Sequence, residues 1–442
     1  MDNENKNEIM NDDFERYNDL QEDEKKHKPK NFVYVLLGVF IGILLCVVSF
    51  GAYYFIEHKD DLRIISYNDA GQNTADTDDS EDTSVVNETA AEKLELLEET
   101  IDEYYLDSDS VDVDTLEDGM YEGLLEALGD PYSVYYTQEE LESLLNSTEG
   151  VYYGIGAYIS TDEDTGLPMI SGVISGTPAE EAGLREGDIC VEVDGESTEG
   201  MELDEFVSKV KGEEGTTVKL TILRDGESDY LEFEVERRKV ESPTVSYEMK
   251  DSGIGYIKIS EFDSVTTDQF TDALATLKGQ DMKGLIIDLR NNPGGSLSTV
   301  CDIAEQLLPE GTIVYTVDKN GDRTDYDCDG ENEFTLPLVV LVNGNSASAS
   351  EILAGAIKDY GIGTIVGTTT YGKGIVQRVI PFSDGTAVKL TVSKYYTPSG
   401  VNIHGTGIEP DVTVEFDSES YLSTGEDNQL SEAISIIEGE LE

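Results

Sequence analysis

The chain has 442 residues, 29 of them basic and 94 acidic, and a formal charge of −65 at pH 7. That excess repels nucleic acid and anionic lipid, which excludes the binding of polyanions; the acids read most simply as a solvated exterior. Four cysteines without CxxC spacing give no sign of a metal or redox centre, and no cofactor is expected.

Residues 32–56 run 25 positions without a charge, more than the roughly 20 needed to cross a bilayer and too many for the apolar core of a signal peptide. They predict a single transmembrane helix. Lys6, Arg16, Lys25, Lys26, Lys28 and Lys30 precede it, whereas only Lys59 and Arg63 follow closely. The basic bias therefore keeps residues 1–31 in the cytoplasm and places the rest outside the cell membrane. Leu45 before Cys46 disfavours lipoprotein cleavage, so the segment reads as an uncleaved anchor. An acidic linker follows over 57–90, too poor in large apolar side chains to fold alone.

Over 91–148, Leu94, Leu97, Ile101 and Tyr105, then Leu116, Met120, Leu124 and Leu128, recur at helical spacing. Two amphipathic helices are expected before Gly129-Asp130-Pro131, with the apolar stripes as core. Residues 149–238 turn β-rich, with one helical stretch at 203–210. Ser175-Gly176-Thr177-Pro178-Ala179, then Gly187-Asp188-Ile189 and Val193-Asp194-Gly195, closely resemble a PDZ domain. Ahead of them Tyr153-Gly154-Ile155-Gly156 matches that family's carboxylate-binding loop, where glycines let the backbone approach a peptide C-terminus; a tight bend entering a strand is the plainer reading. Arg185 is given no role.

From 239 to 418 strand and helix alternate. Apolar runs at 254–259, 285–289, 338–342 and 364–366 are separated by helical stretches at 266–277 and 351–360, with helix continuing over 303–308. The pattern is that of βαβ units around a largely buried sheet. Cys301 and Cys328 fall here, as a disulfide or two free thiols, and residues 419–442 form an acidic C-terminal segment.

The chemistry concentrates after the run at 338–342, where Ser346-Ala347-Ser348-Ala349-Ser350-Glu351 opens a helix. A strand-to-helix turn exposes a nucleophile and aims backbone N–H groups at developing charge. Ser348 and Glu351 also have the spacing of a helix capping box, which needs no catalysis. Lys373, between Gly372 and Gly374, supplies the other half. A lysine serves as base only when neutral, and bringing its amine from about 10.4 to about 7.5 takes roughly 4 kcal/mol of burial away from carboxylates. No acid occurs between Thr364 and Pro381. A third element, Asp288-Leu289-Arg290-Asn291-Asn292-Pro293-Gly294-Gly295, offers a backbone N–H at Gly294 for an oxyanion.

With Gly129-Asp130-Pro131-Tyr132, Tyr371-Gly372-Lys373-Gly374-Ile375-Val376-Gln377, Thr397-Pro398-Ser399-Gly400 and Gly407-Ile408-Glu409-Pro410-Asp411, these motifs resemble the C-terminal processing, or tail-specific, peptidases of serine peptidase family S41. The resemblance runs from about Leu94 to Val414. It implies a multidomain α/β protein: a helical N-terminal region, a β-rich PDZ domain and a catalytic core of the Clp protease and crotonase architecture. It also implies Ser348 as nucleophile, Lys373 as base, Gln377 orienting the lysine, and the amides of Gly294 and Ala349 as oxyanion hole. The implied partners are protein substrates with accessible apolar C-terminal tails, with room for a homo-oligomer. Two other readings stay open: a PDZ adaptor that only binds C-termini, and a hydrolase using His404 as base.

Overall fold

The structure, a computed structural model, describes residues 84–442. The expected anchor at 32–56 and its cytoplasmic tail lie outside the described residues, among which no helix is long and apolar enough to cross a membrane.

The described residues open with α1 (Glu88–Tyr104) and α2 (Val113–Glu126), each started by a side chain: Asn87 accepts from the amide of Ala90, and Asp112 from that of Asp114. The helices form where the apolar spacing predicts, but their stripes are not core. Leu94, Leu97, Leu116, Met120, Leu124 and Leu128 are 41% to 61% exposed. Periodicity defines an apolar face and leaves open what covers it.

A short strand, β1 (Val134–Tyr136), and α3 (Gln138–Glu149) lead into the PDZ domain. Its elements are β2 (Val151–Gly154), β3 (Ala157–Thr161), β4 (Pro168–Val173), α4 (Pro178–Ala182), β5 (Ile189–Val193), β6 (Glu196–Ser197), α5 (Leu203–Val210), β7 (Thr217–Leu223), β8 (Leu231–Glu236) and β9 (Arg238–Glu241). The sheet runs β3-β4-β5-β7-β8 with β6 on β5, while β9 returns to pair with β2. Ile155, Ile170, Phe206, Leu220 and Val235 fill its core. The Gly187-Asp188 turn has a structural cause: buried Asp188 accepts from the amide of Arg185 at 2.8 Å and pairs with Arg224 at 2.6 Å.

The last part holds β10 (Val245–Met249), β11 (Ile254–Ile259), α6 (Thr266–Lys278), β12 (Gly284–Asp288), α7 (Leu297–Ala304), β13 (Gly311–Asp318), β14 (Arg323–Cys328), β15 (Leu338–Val342), α8 (Ala349–Tyr360), β16 (Thr364–Gly367), β17 (Ile375–Pro381), β18 (Ala387–Tyr396), β19 (Val412–Thr413), α9 (Ser418–Thr424) and α10 (Asn428–Leu441). The central sheet has the order β10-β11-β12-β15-β16-β19 and is parallel except for β10. Phe270, Leu274, Val300, Leu353 and Ile357 of α6, α7 and α8 cover one face. On the other, Ala433 and Ile437 of α10 pack against Ile254, Ile286, Val339 and Val366. The acidic C-terminal segment is thus a working layer of the core. A second sheet, β1-β18-β13-β14 with β17 on β18, flanks the first.

The helix expected over 303–308 ends at Ala304. Cys301 and Cys328 are free and buried, so the disulfide alternative falls.

Candidate active site

Parallel strands deliver their functional loops at their C-terminal ends. Here the loops after β12, β15 and β16 converge. The three serines of the β15–α8 turn divide the work between fastening and exposure. Ser346 Oγ donates to the carbonyl of Leu289 at 2.8 Å and accepts from the amide of Asn343 at 2.9 Å. Ser350 Oγ donates to the carbonyl of Asn292 at 3.0 Å, and the amide of Ala347 donates to the same oxygen at 3.0 Å. Both outer serines are fully buried stitches to the Asp288–Gly295 loop. Ser348 between them is half-buried and opens on a cleft of about 460 Å³. Its φ of 53° and ψ of −112° are strained for a residue with a Cβ, a cost of order 1–3 kcal/mol that such turns carry at functional positions.

Gly294 explains how the two loops approach. Its φ is 109°, and an added Cβ would lie 2.8 Å from both the Ala347 carbonyl and Ser348 Cβ. Its own amide donates to Asn292 Oδ1 at 2.8 Å. The amide that the sequence offered to an oxyanion is therefore engaged in a local turn. The amides of neighbouring Gly295 and of Ala349, at the first turn of α8, donate to no group among the described residues.

Glu351, fully buried in that first turn, has more partners than a capping residue needs. Its Oε2 accepts from the amides of Ser348 at 2.9 Å and Lys373 at 2.8 Å. Its Oε1 accepts from Thr370 Oγ1 at 2.6 Å and the amide of Gly372 at 2.7 Å. One carboxylate thus locks the serine backbone to the lysine backbone through four charge-assisted bonds. The sequence offered only the capping spacing; an acid inside a small-residue turn was the remaining signal.

Lys373 is half-buried, its Nζ 4.5 Å from the centre of the Tyr132 ring. Burial pushes its amine below the ordinary lysine value, and the charge of Lys389 pushes the same way. Asp130 and Glu351 oppose them from outside the acid-free window, and the net direction stays downward. Lys373, Gln377, Ser348, Gly294 and Ala349 line the one cleft. Among the described residues Lys373 Nζ makes no hydrogen bond to Ser348 or Gln377. Gln377 instead donates to Thr391 Oγ1 at 3.3 Å, beside a register shift between Val376 and Gln377 that turns the side chain.

In the PDZ domain Gly154, Ile155 and Gly156 are all buried. The carbonyl of Ile155 accepts from the amide of Ala179 at 2.8 Å, and that of Gly156 from Thr177 Oγ1 at 3.1 Å. Gly156 has a φ of 82°, and a Cβ there would meet Thr177 at 2.3 Å. This close packing accounts for the glycine without a ligand. The edge position of β3 leaves one side free for an added strand. His404 is exposed and does not line the cleft.

The model of peptidase family S41 matches residues 253–414, a PDZ model matches 169–224, and the model described as the activating protease CtpB N-terminal domain matches 45–140. The chain is 36% identical over 378 residues to the carboxy-terminal processing protease CtpA of Bacillus subtilis, covering 85% of this chain and 76% of that protein. It is 38% identical over 324 residues to a carboxyl-terminal-processing protease of Synechocystis, covering 72% of this chain and 76% of the relative. With CtpB of Bacillus subtilis it shares 36% over 340 residues, or 76% of this chain and 70% of the other. The chain belongs to peptidase family S41, as a C-terminal processing serine peptidase with a PDZ domain, and its substrates are proteins.

Proposed function

We propose that the chain is a membrane-anchored, extracytoplasmic endopeptidase that captures protein C-termini on its PDZ domain and cleaves near them with Ser348 and Lys373. The observation that carries this reading is the shared cleft, where one strained, half-exposed serine faces an amine held down by burial. Ser348 Oγ attacks the peptide carbonyl as its proton passes to Lys373 Nζ. The oxyanion forms beside the Ala349 amide and the Gly294-Gly295 turn. The departing amine takes the proton from Lys373, leaving an acyl-enzyme; water then attacks the ester with Lys373 again as base, and the carboxylate product leaves. Gln377 lines the same cleft and orients the amine once substrate draws the groups together, since such contacts tighten in the bound complex. A substrate tail adds to edge strand β3, with its carboxylate near Gly154, Ile155 and Gly156. Residues 32–56 hold the enzyme in the cell membrane, and the exposed faces of α1 and α2 seat a second copy.

The test incubates the full-length chain with an unstructured protein and follows intact mass, beside Ser348→Ala and Lys373→Ala. Cleavage by the parent and by neither variant is expected, from a membrane fraction that resists alkaline extraction. Tail binding without cleavage by any of the three would indicate an adaptor, and full activity in either variant would remove the dyad.

A further inference from the structure

Between β11 and α6 lies an extended stretch, Glu261-Phe262-Asp263. Phe262 is buried, its amide donating to the Gly294 carbonyl at 2.8 Å and its carbonyl accepting from the amide of Ser296 at 2.7 Å. The stretch is thereby zipped onto the glycine turn beside Ser348. Side chains alternate along extended backbone, so Glu261 and Asp263 share the face opposite Phe262. Both line the catalytic cleft, and both also line a second cleft of about 460 Å³ whose far wall is Tyr152, Tyr153, Lys211 and Gly212 of the PDZ domain. The two acids stand where the clefts meet.

Asp263 is the unusual one. It is only 6% exposed, yet neither carboxylate oxygen accepts a hydrogen bond or ion pair among the described residues. Its amide is spent on Thr266 Oγ1 at 2.9 Å, and no side chain caps α6. The side chain is packed away while its unpartnered oxygens still reach solvent, so the carboxylate stands open to a cation entering the cleft. We infer that Asp263, with Glu261 beside it, forms a cationic subsite that takes a lysine or arginine side chain of the polypeptide substrate. The inference rests on the peptidase reading for its ligand class. Asp263 follows the residue bonded to Gly294, and consecutive Cα atoms are about 3.8 Å apart, so the subsite lies within a few residues of the bond facing Ser348.

Its dependence on pH has a defined sign. Burial, then the charge of Glu261, raises the Asp263 carboxyl to about 6. The charged groups that line the same clefts are Glu261 on its own stretch, Lys373 and Lys389 in the catalytic cleft, and Lys211 in the second; of these only Glu261 bears on its charge. The preference for a cation is present above about pH 6 and fades below it as Asp263 takes up a proton.

The experiment uses unstructured peptides identical except for one lysine or norleucine, moved along the sequence. For the full-length chain the ratio of kcat/KM between each pair is measured. Binding of the same pairs to the Ser348→Ala protein is measured by fluorescence anisotropy. At one register lysine is favoured about tenfold or more in both assays, and Asp263→Asn, which keeps the shape, brings both ratios near one. An Asp263-dependent preference in binding, with no cleavage by the parent, would sustain the subsite while removing the peptidase reading. A preference that survives Asp263→Asn would belong to the diffuse field of the −65 chain, and the subsite would fall. Equal binding at every register would also overturn it.

Discussion

In the proposed mechanism Lys373 serves as base only in the fraction that is neutral, which grows as pH rises through its pKa. Lys389 helps to hold that pKa down while its own Nζ donates to Tyr136 Oη at 2.6 Å. Replacing it in Lys389→Met removes a positive neighbour, so the Lys373 amine moves back up. The ascending limb of kcat/KM against pH is then expected to shift to higher pH; a limb that stays in place would show that Lys389 does not tune the base. At this scale the sequence was informative about residue types and silent about partners. Ser348 and Lys373 stand out as candidates because hydroxyl, amine and flanking small residues carry their chemistry in the letters. That the Gly294 amide is engaged, that Gln377 turns to Thr391 and that Asp263 has no partner depend on loops brought together from distant positions.

At the level of elements Glu351 ties the loop after β16 to the β15–α8 turn, while Ser346 and Ser350 tie that turn to the loop after β12. In Glu351→Gln the side chain keeps its shape but offers an N–H₂ to backbone amides that need an acceptor. Two of the four contacts are lost or reversed, with an expected cost of about 2–4 kcal/mol and a fall in kcat larger than any change in KM. Thermal unfolding and steady-state kinetics check both, and a variant with the parental Tm would show that the four bonds do not constrain the site. Elements built from apolar runs, β11 and β15, and the amphipathic α5 were readable at their observed limits. Most of the second sheet was not, because β13, β14 and β18 mix half-buried and polar positions. Their pairing is also distant: Val134 of β1 meets Lys389 of β18. Local periodicity holds no record of such a partner.

For the molecule as a whole, the apolar faces of α1 and α2 are the largest departure from expectation. Leu116 and Leu124 are 41% and 49% exposed one above the other on α2, an arrangement that suits association. Light scattering of the detergent-solubilised full-length chain is expected to give a dimer or larger, and Leu116→Asp with Leu124→Asp to reduce it. An unchanged mass in that variant would free these faces from the role. The position of α10 bears on when the enzyme becomes active. Every strand of the central sheet precedes α10 in the chain, yet α10 covers one sheet face, and Asp427 at its cap pairs with Arg290 at 2.8 Å beside the loop that carries Gly294. A growing chain therefore carries that face bare, with Arg290 paired to Asp288 alone, until α10 has been synthesised. The order of translation itself makes the covering of the central sheet, and the second anchor of the loop that carries Gly294, a late event in assembly.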